Sequence, residues 1–183
     1  MAMYAVDDEK AGWKKGQWHT AVPPQARPST GLTPVDYFGR KMVDNLPDSI
    51  KVGTITVAVG GASIDLFDKR TCKAYLKKQP DWMKNFASQY NGNPYARLIE
   101  LAKIAQKQGV IKGILLHQGE TNNGDANWPN RVKTVYNDIL KELHLKAEDV
   151  PLLVGETVQK DQGGSCWQHI AIVDDIAKTI PTA

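Results

Sequence analysis

Polar residues that could do chemistry cluster in three segments, each directly after an apolar run. They are Gly60-Gly61-Ala62-Ser63-Ile64-Asp65, His117-Gln118-Gly119-Glu120-Thr121-Asn122-Asn123 and Gly155-Glu156. Tight glycine turns and polar helix caps would explain any one of these segments. Placing His, Gln and Glu in a row at the end of an apolar strand is costly unless each finds a partner. The repetition therefore favours a shared site.

Ser63 is the candidate nucleophile within the first segment. Gly61-Ala62-Ser63-Ile64-Asp65 approaches the nucleophile elbow G-x-S-x-G, but Asp65 stands where the second glycine permits a close turn. A complete hydrolase using Ser63 with His117 or His169 as base stays open as an alternative. The segment lacks the third glycine of a dinucleotide fingerprint, and the sequence has no phosphate-binding G-x-x-x-x-G-K-[ST] run.

Metal chemistry is not indicated by the histidines or the cysteines. His19, His117, His144 and His169 lack the spacing of metal ligands. Cys72 and Cys166 lie far apart, outside any C-x-x-C pattern, and are expected to be ordinary thiols. We therefore expect no metal and no cofactor.

Three apolar runs predict the buried strands that carry the polar segments: Val52 to Val59, Ile111 to Leu116 and Pro151 to Val154. Helical patterns lie around and between these strands, at Val35 to Leu46, Pro94 to Gly109, Pro129 to Leu143 and Trp167 to Thr179. This alternation predicts an α/β fold with a mainly parallel sheet covered on both faces. Functional groups in such sheets collect beyond the carboxyl ends of the strands.

Length and charge limit the remaining function classes. A chain of 183 residues with 42% apolar composition predicts one domain, residues 1–183, with a real core. The formal charge of +3 includes no long basic run, so nucleic acid is not an expected partner. No apolar stretch approaches the roughly 20 residues of a membrane span. The acidic residues Asp7, Asp8 and Glu9 do not fit a signal peptide, and the compartment stays open.

Two of the segments resemble blocks of a known family. Ile111 to Asn122 resembles the KGILWHQGESN block of the sialate O-acetylesterase-like domain, in the carbohydrate esterase group that includes family 6 acetylxylan esterases. Val57 to Ile64 is similar to the AVGGTSI block of the same family. Gly155-Glu156 falls at the family's next strand end, and Trp18 to Pro24 also resembles a stretch of these esterases.

The resemblance implies an SGNH-hydrolase-like three-layer sandwich that deacetylates an acetylated carbohydrate, such as xylan or sialic acid, by a serine-hydrolase mechanism. Gly61 and Gln118 match the oxyanion-hole donors, and Glu120 and Glu156 would orient groups in the site, cap helices or bind loop amides. The residues expected to border the substrate are Gly60, His117, Trp18 and His19.

The sequence departs from the family because neither its GQSN serine block nor its DxxH histidine block is present. We therefore expect a partial domain, without its first strand and its C-terminal segment, that is inactive alone. The alternative is a non-catalytic remnant with a carbohydrate-binding groove. In an SGNH-type sheet of order 2-1-3-4-5, the missing first strand would lie between the predicted strands at Val52 to Val59 and at Ile111 to Leu116. Unless Met3 to Val6 fills that gap, unpaired strand edges predict marginal stability.

Overall fold

The computed structural model describes residues 2–4, 12–14, 17–26 and 31–183, and of residues 2–4 only the backbone. Five short strands lie within these described residues: β1 (Ala2–Tyr4), β2 (Trp18–Thr20), β3 (Gly53–Ile55), β4 (Ile114–Leu116) and β5 (Leu152–Val154). The helices are α1 (Pro34–Asp44), α2 (Cys72–Lys77), α3 (Asp81–Ser88), α4 (Pro94–Ala105), α5 (Trp128–Leu143), α6 (Ile170–Asp174) and α7 (Ile176–Thr179).

The strands form two small sheets. In the first, of order β2-β1-β3, β1 is antiparallel to β2, with Met3 opposite His19, and parallel to β3, with Met3 opposite Thr54. In the second, β4 and β5 are parallel, with Leu115 opposite Leu153. Parallel pairs between strands that are separated by helices confirm the predicted α/β class.

The two sheets are not joined by a backbone ladder within the described residues, since β3 pairs only with β1 and β4 only with β5. Met3 and Tyr4 thus lie beside β3 but do not reach β4. Val6 lies outside the described residues, so whether Met3 to Val6 fills the gap is seen only for Met3 and Tyr4, which pair with β3 on one side of it. The order 2-1-3-4-5 stays a prediction.

The strands are shorter than the apolar runs that predict them. Only Gly53–Ile55 of the first run and Ile114–Leu116 of the second are paired. A strand needs a hydrogen-bonded neighbour as well as favourable side chains, and the sequence pattern reports only the side chains. Val57 and Val59, beyond the end of β3, pack into an apolar cluster instead.

Three of the four predicted helices are confirmed, and local capping explains where two of them begin. At the start of α4, Asn93 Oδ1 accepts a hydrogen bond from the Ala96 N–H at 3.0 Å, and Pro94 takes the first helical position. At the start of α1, Asp36 Oδ2 accepts from the Thr33 N–H at 2.7 Å. Even α5, with 16 residues, is too short to cross a bilayer, and no other helix in the described part qualifies.

The predicted helix from Trp167 to Thr179 is wrong as a single element. A 3₁₀ turn at Trp167–His169 leads into α6, and α6 ends at Asp174 before α7 begins. Aspartate competes for backbone groups and disfavours a helix interior, which explains a break at Asp174-Asp175. The sequence pattern also missed α2 and α3, because both are short and Pro80 separates them.

Two apolar clusters hold these elements together. The larger is formed mainly by α4, α5, β5, α6 and α7, and it buries Trp128 completely. The smaller lies against α2 and α3 and includes Val59, Cys72 and Met83. The segment after β3 contributes Ile64 to the larger cluster and Leu66 to the smaller one. This segment is therefore held by apolar packing on both sides, in addition to its contacts with other loops.

Candidate active site at the strand ends

Side chains of the segment after β4 bind the segment after β3. Thr121 Oγ1 donates a hydrogen bond to the carbonyl oxygen of Gly61 at 2.8 Å. Gln118 Nε2 donates to the carbonyl oxygen of Ala62 at 3.1 Å. The first two predicted segments are therefore brought together, although no backbone ladder joins their strands. We call this set of contacts the strand-end joint.

Gln118 is the centre of the joint and is buried. Its Nε2 donates to Ala62 and also to Asn122 Oδ1 at 2.9 Å, while its Oε1 accepts from the indole N–H of Trp128. The indole can only donate and the Ala62 carbonyl can only accept, so the orientation of the amide is chemically determined. Both N–H groups of Gln118 are used within the protein.

Asn122 adds further hydrogen bonds to the strand-end joint. Its Oδ1 accepts from the backbone N–H of Ile64 at 3.0 Å as well as from Gln118, and its Nδ2 lies 3.5 Å from Asp125 Oδ2. Asn122 therefore connects a buried amide in one segment to the backbone of the other. A buried polar network of this kind is stabilising only when every member has a partner, and here each amide oxygen has one.

Gly61 is an exposed glycine near the start of the first segment, and its backbone adopts φ +69°. That left-handed conformation is one that residues with a Cβ rarely take. A Cβ here would lie 3.3 Å from Cη2 of Trp82, whose indole thus packs against the glycine. Glycine is required at this position both for the turn and for the close approach of the ring.

The third strand end lies beside the second. The Gly155 N–H donates to the carbonyl oxygen of Leu116 at 2.8 Å, and a Cβ on Gly155 would meet the His117 ring at 3.2 Å. His117 is exposed, as is Glu156, whose Oε2 accepts from Gln159 Nε2 at 2.9 Å. Glu120 is also exposed. The two carboxylates and the imidazole thus belong to adjacent strand ends and face solvent.

Ser63 is buried and its hydroxyl is engaged locally. The Oγ atom lies 3.0 Å from Asp65 Oδ2 and accepts from the Asp65 N–H at 3.2 Å, which caps the 3₁₀ turn that follows. Arg131 Nη1 lies 3.1 Å from the same carboxylate oxygen. Ser63 therefore bonds to a carboxylate rather than to a histidine, as a helix-capping serine does.

His169 is completely buried, directly behind the joint. Its ring packs edge-on to Trp128, with centroids 4.6 Å apart, and Nε2 lies 2.7 Å from where a Cβ on Gly119 would be. Neither ring nitrogen has a hydrogen-bond partner among the described residues. Burial lowers the pKa of His169, and the carboxylates of Asp125 and Glu120 oppose that shift. His169 is thus held as a neutral packing residue.

Trp18 and His19 lie on β2, at the edge of the sheet that contains β3. The Trp18 ring packs against Gly53, at the first residue of β3, whereas Gly61 lies beyond the last. His19 Nε2 accepts from the Lys14 N–H at 3.1 Å. These contacts do not bring either residue to the strand-end joint, and their predicted role at the substrate stays a prediction.

Sequence reasoning assigned no role to Trp128, Asn122 or Trp82. Asn122 lies four residues after Gln118, a spacing that allows two amides to meet across a helical turn. Trp128 carries a weaker signal, because an aromatic residue before a helix-opening proline is usually taken as ordinary core. Trp82 carries no signal, since its contact with Gly61 depends on a helix that the sequence pattern missed.

The model of one protein family, described as carbohydrate esterase, sialic acid-specific acetylesterase, matches residues 6–182. The chain belongs to this family. The matched range contains all three strand-end segments, so the resemblance drawn from the blocks around Gly61 and Gln118 is confirmed at the level of the family. As a member of a carbohydrate esterase family, the chain falls in the hydrolase class, and the family's substrates are carbohydrates.

Proposed function

We propose that a protein containing this domain together with the family's GQSN and DxxH blocks removes acetyl groups from acetylated xylan or acetylated sialic acid by a serine-hydrolase mechanism. In this proposal residues 1–183 form a single, partial SGNH-type sandwich, which is inactive alone. The observation that carries the proposal is the strand-end joint, which supports an exposed glycine turn next to a buried amide. Donors held in fixed positions beside a reacting carbonyl stabilise the oxyanion of acyl transfer.

In this proposal Gly61 supplies its backbone N–H to the oxyanion, since the glycine turn is exposed and its carbonyl is held by Thr121. Gln118 supplies the second donor. Because both of its N–H groups are used within the protein, it donates to the acetyl oxygen only by releasing the carbonyl of Ala62. Catalytic hydrogen bonds often tighten only in the complex.

The nucleophile and its histidine come from the family's GQSN and DxxH blocks, which the 183 residues do not contain. Ser63 does not take that role, because its hydroxyl is bonded to Asp65. Glu120 supports groups in the site from its exposed position, and Gly60 and His117 border the acetylated sugar. A protein that carries both blocks together with this domain would have the complete site.

The first test measures hydrolysis of 4-nitrophenyl acetate by the 183-residue chain. We expect a rate no higher than that of a serine-free control protein, because oxyanion donors alone leave only residual catalysis. Turnover that disappears in Ser63→Ala would contradict the proposal and assign catalysis to Ser63.

The second test uses a protein in which the GQSN and DxxH segments are joined to this domain. Gln118→Ala should lower kcat for acetate release by about 100-fold with a much smaller change in KM, because an oxyanion donor acts mainly in the transition state. Glu120→Gln should have a milder effect. Unchanged kinetics in a folded Gln118→Ala variant would remove Gln118 from the oxyanion site.

A second candidate function is carbohydrate binding without hydrolysis. The engagement of Ser63 by Asp65 favours it, because the serine of the strand-end segments is then not available as a nucleophile. The two functions differ in one outcome. Acetate release by the protein with both blocks restored favours the esterase, whereas sugar binding without acetate release favours the binding module.

A further inference from the structure

Trp82 is a large apolar side chain that the fold leaves half exposed beside the candidate site. It occupies the second position of α3, where Met83 and Ala87 face the core and Trp82 does not. Its relative exposure is 50%, although most tryptophan side chains are highly buried. Phe86 packs edge-on to its ring, with centroids 6.1 Å apart and an interplanar angle of 74°. The indole is thus supported by the protein and still presents surface to solvent.

The supported ring lies at the glycine turn of the site. Cη2 of Trp82 is 3.3 Å from where a Cβ on Gly61 would be, and the methyl carbon of Met83 is 4.0 Å from the same point. The Gly61 carbonyl is held in turn by Thr121. The contacts therefore run without interruption from the indole to the exposed turn and on to the strand-end joint.

An exposed indole next to polar side chains is suited to a sugar ring. The face of an aromatic ring carries partial negative charge, which attracts the partially positive C–H groups on the face of a pyranose. The exposed side chains of Thr121, Glu120 and His117 lie on the adjoining segment and can bond to hydroxyl groups. Ligand sites commonly combine an apolar wall with a few polar groups in this way.

The exposed carboxylates at the neighbouring strand ends favour a neutral sugar, because the Arg131 guanidinium at the same loops is already paired with Asp65 and Asp125. Glu120 and Glu156 are exposed at the neighbouring strand ends and would repel a carboxylate-bearing sugar. On α3 itself, Lys84 Nζ lies 3.4 Å from Asp81 Oδ1, so this pair brings no net positive charge.

We propose that the Trp82 indole is a stacking platform for a neutral pyranose ring, placed so that an acetyl group on that ring reaches the Gly61 turn. The proposal rests on the proposed function for the presence of the acetyl group. The stacking itself requires only that the site binds a sugar. Trp82 is then a substrate-binding residue that prefers uncharged rings.

The test is calorimetric titration of the 183-residue chain with xylotriose, with acetylated xylotriose and with N-acetylneuraminic acid. The variants are Trp82→Ala, the conservative Trp82→Phe and the control Tyr37→Ala, which removes an exposed aromatic ring from α1. Trp82→Ala should weaken binding of both xylotrioses by about tenfold or more, as expected for loss of a stacking partner. Trp82→Phe should retain most of the affinity, and Tyr37→Ala should match the unaltered chain.

Equal affinity in Trp82→Ala and the unaltered chain, or no binding of either xylotriose, would overturn the platform. Tighter binding of N-acetylneuraminic acid than of xylotriose would overturn its preference for neutral rings. Thermal melts of each variant separate loss of binding from loss of folding. Because the readout is binding, the result is independent of acetate release: a failed platform leaves the esterase proposal intact, and a failed esterase leaves a sugar platform that still depends on Trp82.

Discussion

The loops that follow β4 and β5 leave the sheet side by side, yet they are held in different ways. In the loop after β4, Gln118 is buried and bonds to three residues, of which Ala62 belongs to the other sheet's loop. In the loop after β5, the exposed Gln159 bonds through its amide to Glu156, three residues away. One glutamine joins distant parts of the chain, and the other stabilises only its own turn.

This difference shows where the candidate site obtains its rigidity. Since no ladder connects β3 to β4 within the described residues, the contacts made by Gln118, Thr121 and Asn122 link the two sheets directly. Gln118, which is expected to serve catalysis, is therefore also structural. Substitutions in the loop after β4 should cost stability, whereas matched substitutions elsewhere should not.

The largest effect is expected from Gln118→Ala, compared with Gln159→Ala. Losing the buried amide leaves the Trp128 N–H and the Ala62 carbonyl unpaired, so the free energy of unfolding should fall by about 3–4 kcal/mol. Gln159→Ala should change it by less than about 0.5 kcal/mol, because its bond is exposed. Urea denaturation monitored by circular dichroism measures both. Similar losses in the two variants would show that the joint is no stronger than a surface turn.

Gly119→Ala, compared with Gly113→Ala, is expected to have the next largest effect. A Cβ on Gly119 would overlap the His169 ring, which Trp128 prevents from moving away, whereas a Cβ on Gly113 meets Pro151 O at an ordinary 3.7 Å. Overpacking of this kind costs about 1–3 kcal/mol, so Gly119→Ala should lower the melting temperature clearly and Gly113→Ala should not.

A double-mutant cycle identifies the cause of that loss. If the His169 ring is the obstacle, Gly119→Ala should cost much less in a His169→Ala background than in the unaltered chain. Additive losses would mean that Gly119 is needed for another reason.

His169 gives the joint a smaller, pH-dependent contribution. Burial lowers the pKa of His169 in the folded chain below the usual histidine value of about 6.5. Between the folded and unfolded values the unfolded chain binds more protons, so stability falls as the pH drops below about 6.5 and is regained above it. His169→Phe keeps an aromatic ring against Trp128 and should flatten this dependence.

Melting temperatures of the two proteins between about pH 5 and pH 7 provide the measurement, a range in which histidine titration dominates. His19, His117 and His144 are common to both proteins, so their effects cancel in the comparison. Parallel curves for the unaltered chain and His169→Phe would show that His169 does not carry the pH dependence.

Features of this fold that depend on residues close together in the sequence could be predicted from the sequence. The start of α4 follows from Asn93 and Pro94, and the clustering of the segments around Gly61 and Gln118 follows from the general rule for parallel strand ends. The partner of Gln118 could not be predicted, because the Trp128 side chain reaches it only after α5 packs against the core.

Features that depend on pairing between distant segments were missed or assigned too broadly. The apolar run from Val52 to Val59 predicts a long strand, but pairing limits it to Gly53–Ile55. The position of Trp82 over Gly61 likewise depends on tertiary packing. The spacing of apolar residues indicates which side chains can be buried, but it does not indicate which other residues those side chains contact.

Thr121→Val, compared with Thr134→Val, should give the smallest effect and the sharpest test of the joint. Each hydroxyl donates at 2.8 Å to a backbone carbonyl, but Thr121 reaches Gly61 in another loop, whereas Thr134 reaches Asn130 in its own helix. A bond within the helix adds little and can bend the helix, so Thr134→Val should be neutral or slightly stabilising. Thr121 is exposed, so its loss should cost only about 0.5–1 kcal/mol. Amide hydrogen exchange supplies a readout that stability alone does not: only Thr121→Val should speed exchange in the Gly60-Gly61 turn, because of the two hydroxyls only that of Thr121 bonds to the turn. Equal exchange in both variants would mean that the Thr121 bond does not hold the turn.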